Sequence, residues 1–118
     1  MDSKKKRIDF LDETLKTLDI TDINLIHGRS NEWVNKSRKR FDVCCARAVA
    51  ELGKLVRITF PLLKKDGVLL AMKGPDAQDE IMNAKPTIKK HGGFISDISV
   101  FEIDTGVKRS VISIIKTK

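Results

Sequence analysis

Phe41-Asp42-Val43-Cys44-Cys45-Ala46-Arg47-Ala48-Val49-Ala50-Glu51-Leu52 is the stretch on which the reading of this sequence turns. The apolar run Val43 to Ala46 is bounded by charge and leads directly into Arg47. From Ala48 onward the pattern becomes helical, with Leu52, Leu55, Val56 and Leu63 on one face. A strand that ends on a charged residue and feeds a helix is a βα unit of an open α/β sheet. Ligands of such sheets sit at the carboxyl ends of the strands, where Arg47 falls. A solvated residue at a helix start has the same spacing. A second unit bears on the choice: Val68-Leu69-Leu70-Ala71-Met72, followed by Lys73-Gly74-Pro75. Two consecutive strands that each deliver a cation to one sheet edge describe a site for something anionic.

Outward from these units, the segment Lys4 to Leu18 places Ile8, Leu11, Leu15 and Leu18 at helical spacing, with Ser3 as its expected N-cap. Ile23 to His27 reads as a short strand ending at Gly28, and Ser30-Asn31-Glu32 starts a short helix in which Trp33 packs inward. Asn35 to Arg40 is a polar loop and the densest basic cluster. Pro61 loosens the end of the helix after Arg47, and Lys64 to Gly67 turn into the second strand. Ala77 to Lys90 is helical by composition, with an interruption expected at Pro86 and a stop at His91-Gly92-Gly93. Phe94 to Phe101 and Arg109 to Lys116 alternate as strands around a turn at Thr105-Gly106-Val107. Two strands in succession form a hairpin, so the last runs antiparallel to the others.

At 118 residues the chain is one domain at most, and 33% charged against 41% hydrophobic residues is a globular composition. No apolar run approaches the roughly 20 residues that cross a bilayer. Lys4-Lys5-Lys6-Arg7 is followed by Asp9, Asp12 and Glu13 where a signal peptide would be apolar. Cys44 and Cys45 are adjacent on a strand, so they point to opposite faces and neither bond each other nor offer metal spacing. Reduced thiols in a cytoplasm are the expectation. The net charge of +7, with pI near 9.6, divides almost evenly between the two halves of the chain. It fits a nucleic-acid-facing surface. His27 and His91 are isolated, and no nucleophile elbow, Walker loop or Gly-rich dinucleotide turn occurs. What remains is a transfer that depends on positioning and charge.

Six short motifs then fall in register: Asp2-Ser3-x-x-Lys6-Arg7, His27-Gly28-Arg29 before Ser30-Asn31-Glu32, Phe41-Asp42-Val43-x-x-x-Arg47-Ala48-Val49-Ala50, Pro61-Leu62-Leu63-Lys64-x-x-Gly67, Ala71-Met72-Lys73-Gly74 and Arg109-Ser110-Val111-Ile112-x-Ile114-x-Lys116. Their order and spacing, from Asp2 to Lys116, resemble the bacterial 16S ribosomal RNA methyltransferases also known as glucose-inhibited division protein B. The resemblance implies methylation of guanosine N7 in 16S ribosomal RNA with S-adenosylmethionine as cofactor. It implies an α/β fold, the class I methyltransferase (Rossmann-like) sheet ordered 3-2-1-4-5-7-6, here lacking its N-terminal strands 1 and 2. Residues 1–118 would then be the C-terminal part of a single methyltransferase domain, inactive by itself. Asp2 matches the acidic residue that bonds the cofactor ribose, Ser30 and Asn31 the positions at the adenine edge, and Arg47 the cofactor-site arginine. Asn31 departs mildly from the acidic or small residues usual there. Lys73 and Arg109 match basic residues facing the guanosine and the RNA, as substrate-positioning groups and not as acid or base. No metal and no membrane enter this reading, and unpaired strand edges would promote self-association. A basic α/β RNA-binding module without chemistry, and a degenerate fragment with neither activity, are the alternatives.

Overall fold

The computed structural model describes residues 1–47 and 49–118; Ala48, where the helical pattern was expected to begin, lies outside the described residues. The chain forms two compact units, Met1–Arg38 and Lys39–Lys118.

In the first unit, α1 (Lys5–Thr17) and α2 (Ser30–Lys36) stand where helical periodicity placed them. Ile8 is buried in α1, but Leu11 and Leu18 of the same expected stripe are exposed. The cap differs from expectation. Lys4 occupies the N-cap position without a side-chain cap, and its backbone N–H donates instead to Asp2 Oδ1 at 2.8 Å. A carboxylate two residues back forms an Asx-type turn and displaces the Ser3 hydroxyl from that role. The expected strand Ile23 to His27 reduces to one parallel bridge, Asp2 with His27, made by Asp2 N–H to Ile26 O at 3.1 Å and Gly28 N–H to Asp2 O at 2.9 Å. A strand needs a partner along its length, and among the described residues only Asp2 supplies one.

The second unit is built from β1 (Phe41–Arg47), α3 (Leu52–Thr59), a 3₁₀ turn (Phe60–Leu62), β2 (Leu63–Lys73), α4 (Gln78–Lys90), β3 (Gly93–Asp104) and β4 (Val107–Lys116). The sheet order is β1-β2-β4-β3, with β1 parallel to β2 and β4 antiparallel to both β2 and β3. That is the expected arrangement: the Val43, Val68 and Ile112 strands are neighbours and the Phe94 strand lies outside. Alternate residues of the central strands, Leu69 and Ala71 on β2 and Ile112 and Ile114 on β4, face α3 and α4 and have no exposed surface. The opposite phase carries Val43, Met72 and Phe94, each roughly half exposed.

Three local readings change. Helix α3 starts only at Leu52, and Leu63 opens β2 instead of continuing the helix, because Pro61 cannot donate a helical hydrogen bond and the chain turns through 3₁₀ geometry. Lys64 to Gly67 form an outward bulge inside β2, with the register jumping from Phe41↔Leu63 to Val43↔Val68. Asp66 adopts φ +65° there, and a Cβ at Gly67 would lie 2.8 Å from Lys64 O. Finally, α4 runs unbroken through Pro86. The carbonyl deprived of its donor belongs to Met82, which like Pro86 is exposed, so that solvent can reach this side of the helix. The stop at Gly92 is as expected, with φ +73° and its N–H donating to Lys89 O at 3.0 Å. Gly93 follows because a Cβ there would come within 2.6 Å of the Phe60 ring.

Leu69→Ala is expected to lower unfolding free energy by about 2–5 kcal/mol, and Val43→Ala on the open face by under about 1 kcal/mol. Urea denaturation of the two variants checks this; equal shifts would refute the assigned faces.

Candidate functional site

Because β1 and β2 are parallel and paired Arg47↔Met72, Arg47 and Lys73 leave the sheet at the same end. Strand β4 enters at that end, pairing Ser110 with Lys73 and setting Arg109 one residue further out. The fold therefore brings together three of the six candidate residues, Arg47, Lys73 and Arg109. Arg47 and Arg109 are exposed, and Arg109 Nη1 donates to Lys108 O at 2.9 Å.

Lys73 is different. Its side chain is only 15% exposed, donates to Ala50 O at 2.6 Å and pairs with Glu80 Oε1 at 2.9 Å. The same Glu80 oxygen accepts Leu52 N–H at 3.1 Å. Glu51, at the N-cap of α3, offers no side-chain cap, so a carboxylate from the first turn of α4 takes that role. One ion pair thus ties the end of β2, the segment after β1, the start of α3 and the start of α4. Alongside it, Ser110 Oγ donates to Gly74 O at 2.7 Å and fixes the loop after β2.

Neither Glu80 nor Ser110 was singled out from the sequence. Ser110 left a usable signal, a hydroxyl on the inward phase of an otherwise apolar strand, which must find a partner. Glu80 left none, since capping another helix is set by packing alone.

The other three candidates belong to the first unit. Ser30 and Asn31 are the first two residues of α2, with Asn31 exposed. Asp2 sits at the bridge to His27, close in sequence to Ser30. The Lys4 backbone N–H holds the Asp2 carboxyl below its ordinary range, against the opposing effect of desolvation and with the help of Arg7 at 3.5 Å. It is ionised at neutral pH and retains acceptor capacity. Among the described residues no group of His, Cys, Asp or Glu could hold a metal ion, and no helix is long and apolar enough to cross a membrane. A shallow groove of about 510 Å³ between α4 and β3, lined by Ile81, Met82, Lys85, Phe94 and Ile98, includes none of the candidates.

Against solved structures, the chain matches an rRNA methylase from Streptococcus thermophilus at TM-score 0.69 and 12% identity, over 99% of this chain and 71% of that one. It matches an O-methyltransferase from Bacillus cereus in complex with SAH at TM-score 0.72 and 10% identity, over 98% and 60%. Identities this low speak to the fold, which is that of the class I methyltransferases. The family itself is narrower. The model for rRNA small subunit methyltransferase G matches residues 1–111, and the chain belongs to that family. Among relatives, ribosomal RNA small subunit methyltransferase G of Clostridium botulinum (strain Loch Maree / Type A3) is 39% identical over 121 residues, covering 100% of this chain and 51% of its own length. That of Thermoanaerobacter sp. (strain X514) is 40% identical over 105 residues, covering 87% and 44%. The chain spans about half the length of the curated relatives it matches.

Glu80→Ala removes both the Lys73 partner and the α3 cap, and is expected to cost about 1–3 kcal/mol. In a double-mutant cycle with Lys73→Met the two changes should be non-additive by about 1 kcal/mol or more. Denaturation of the four proteins measures this; strict additivity would show that the pair is not a unit.

Proposed function

We propose that this chain serves the transfer of a methyl group from S-adenosylmethionine to N7 of a guanosine in small-subunit (16S) ribosomal RNA. The observation that carries this reading is the family match over residues 1–111, with Arg47 and Arg109 standing exposed at the carboxyl-end edge of a methyltransferase-type sheet. When bound, the cofactor supplies an electrophilic methyl group on a sulfonium sulfur. Guanine N7 has an in-plane lone pair and no proton to lose, so the chain needs no general base. This agrees with the lack of a paired acid and base among the candidates.

What the residues do is hold and orient. Asp2, as an ionised acceptor, takes the ribose hydroxyls, and Ser30 and Asn31 take the adenine edge. Arg47 takes the cofactor carboxylate through its guanidinium. Arg109 faces the RNA phosphates directly. Lys73 serves the substrate side from within its ion pair, by fixing the Ala50 carbonyl and with it the entry to α3. Good orientation of two reactants is worth effective molarities of roughly 10⁵ M or more, so a clamp that only positions a loop can matter for rate.

The decisive assay joins this chain to the remaining half of the Clostridium botulinum relative, so that the family's whole length is present, and follows labelled methyl transfer to 16S RNA. Calorimetry with S-adenosylmethionine accompanies it. Arg47→Ala and Asp2→Asn are each expected to weaken cofactor binding about tenfold, a loss typical of one charge-assisted hydrogen bond. RNA binding without methyl transfer would favour a non-catalytic RNA-binding module. The same proposal puts the protein in the cytoplasm. It also expects the chain to self-associate through the outer edges of β1 and β3, the end strands of the sheet. Sedimentation at micromolar concentration reads this out, and a concentration-independent monomer would remove it.

A further inference from the structure

The opposite edge of the sheet has a composition of its own. It is formed by the start of β1, the bulge in β2, the last turn of α4 with the start of β3, and the end of β4. These segments carry Lys39, Arg40, Lys64, Lys65, Lys89, Lys90, Lys116 and Lys118 against two acids of their own, Asp42 and Asp66. Over the remainder of residues 39–118 lysines and arginines balance acids, seven against seven. The whole net charge of this unit is therefore at one edge, and it is not the edge carrying Arg47. Along β1, from Phe41 to Arg47, the two edges lie about 20 Å apart.

The grouping is spatial as well as sequential. Phe41 pairs with Leu63 and Gly93 with Lys116, which aligns the ends of all four strands. Lys116 Nζ donates to Phe60 O at 2.8 Å and Leu63 O at 2.9 Å. Burial, and then the charge of Arg40, hold its ammonium below the ordinary lysine range. Lys118 lies against Gly92, at the end of the α4 turn that bears Lys89 and Lys90. The bulge lifts Lys64 and Lys65 into solvent, and only Lys64 has an acid beside it, Asp42 at 3.2 Å. At a strand spacing of about 4.8 Å the row spans about 14 Å. Of the exposed large apolar side chains only Val43 and Phe94 lie near it, and both stand on the open face of the sheet, not among the bulge and α4 lysines. A protein partner would require an apolar centre to its interface, whereas a polyphosphate requires only cations.

We infer that this edge, centred on the bulge lysines Lys64 and Lys65 and on Lys89 and Lys90, is a second RNA-docking surface that grips phosphate backbone away from the reacting nucleotide. The partner class rests on the function proposed above; the location rests on the charge distribution. Two contact regions about 20 Å apart let the chain hold a folded RNA at a distance while its other edge approaches one base.

The test measures binding of fluorescent single-stranded and duplex RNA to the full 118-residue chain across a salt series, with polyglutamate as competitor. Lys64→Gln with Lys65→Gln, and Lys89→Gln with Lys90→Gln, are compared with Lys54→Gln with Arg57→Gln, which removes equal charge from α3. All six side chains are solvent-facing or at helix surfaces, and urea midpoints confirm that each variant folds. Each edge pair is expected to weaken RNA binding about tenfold and to reduce the single-strand salt slope by about 1.4, with the α3 pair costing under threefold. Equal losses from all three pairs, no salt-dependent RNA binding by the unaltered chain, or displacement of RNA by polyglutamate at matched charge would overturn the inference. Edge variants should leave S-adenosylmethionine affinity unchanged. Loss of RNA binding only in Arg109→Ala would sink this surface and leave the proposed function standing; cofactor binding indifferent to Arg47→Ala would do the reverse.

Discussion

Leu69, Ala71, Ile112 and Ile114 have no exposed surface, and the arrangement of residues 39–118 follows from keeping that strip covered. A parallel pair of strands needs a crossover, and the helix of a right-handed crossover returns over one face of the sheet. Helices α3 and α4 both lie on the face of this strip and close over it. Each connection must then leave the sheet at the same edge, which is why Arg47 and Lys73 emerge together. The strip also ends on a lysine at each side. On β2 the inward phase runs Leu69, Ala71, Lys73; on β4 it runs Ser110, Ile112, Ile114, Lys116. Both lysines cover apolar neighbours with their stems and carry the ammonium to backbone carbonyls beyond the core, Ala50 in one case and Phe60 and Leu63 in the other.

What the sequence made legible were the features fixed by local period. The alternation of Ser110, Ile112 and Ile114 is visible as letters, and so is the glycine stop at Gly92. The hairpin around Gly106, whose φ is +77°, belongs with them. The illegible features depend on a partner. Ile23 to His27 has the composition of a strand, yet a ladder requires a neighbour and among the described residues only Asp2 provides one. Pro86 should interrupt a helix, yet Met82, whose carbonyl it orphans, is exposed, and where solvent can reach the loss is small. Lys64 to Gly67 look like a turn between elements, and whether such residues turn or bulge is decided by the strand they pair with. At the candidate site the cations at the strand ends could be read, because residue type and position sufficed. That Lys73 is already engaged with Glu80 could not, since the two are brought together only by the packing of α4.

The two edges of this sheet use positive charge in opposite ways. At the carboxyl edge the buried cation is neutralised by Glu80 and works as a structural tie. At the other edge eight lysines and arginines gather with only two acids among them. Neighbours of this kind repel within the Debye length of about 8 Å at physiological salt. The repulsion is tolerated because most of these side chains are in solvent, where the interaction is weak. Lys116, drawn inward to two carbonyls, has its ammonium held below the ordinary lysine range by burial and then by the charge of Arg40. A polyanion would relieve the repulsion along the edge.

Polar anchoring at the candidate edge follows from what an open site permits. Val49, two residues after Arg47 in the sequence, is mostly exposed, and it cannot be held by burial without being covered. Covering it would close the surface on which a ligand must sit. Hydrogen bonds to the backbone fix a loop without adding bulk above it. The Lys73 ammonium, at the end of β2, donates to the Ala50 carbonyl in this way. An apolar residue at position 73 would pack as well and no less stably, since a partly buried ion pair contributes little net free energy over a good hydrophobic contact. It would have no group with which to hold the carbonyl. The ion pair is thus explained by placement and not by stability: it holds the Ala50 carbonyl and the first N–H of α3 against the start of α4.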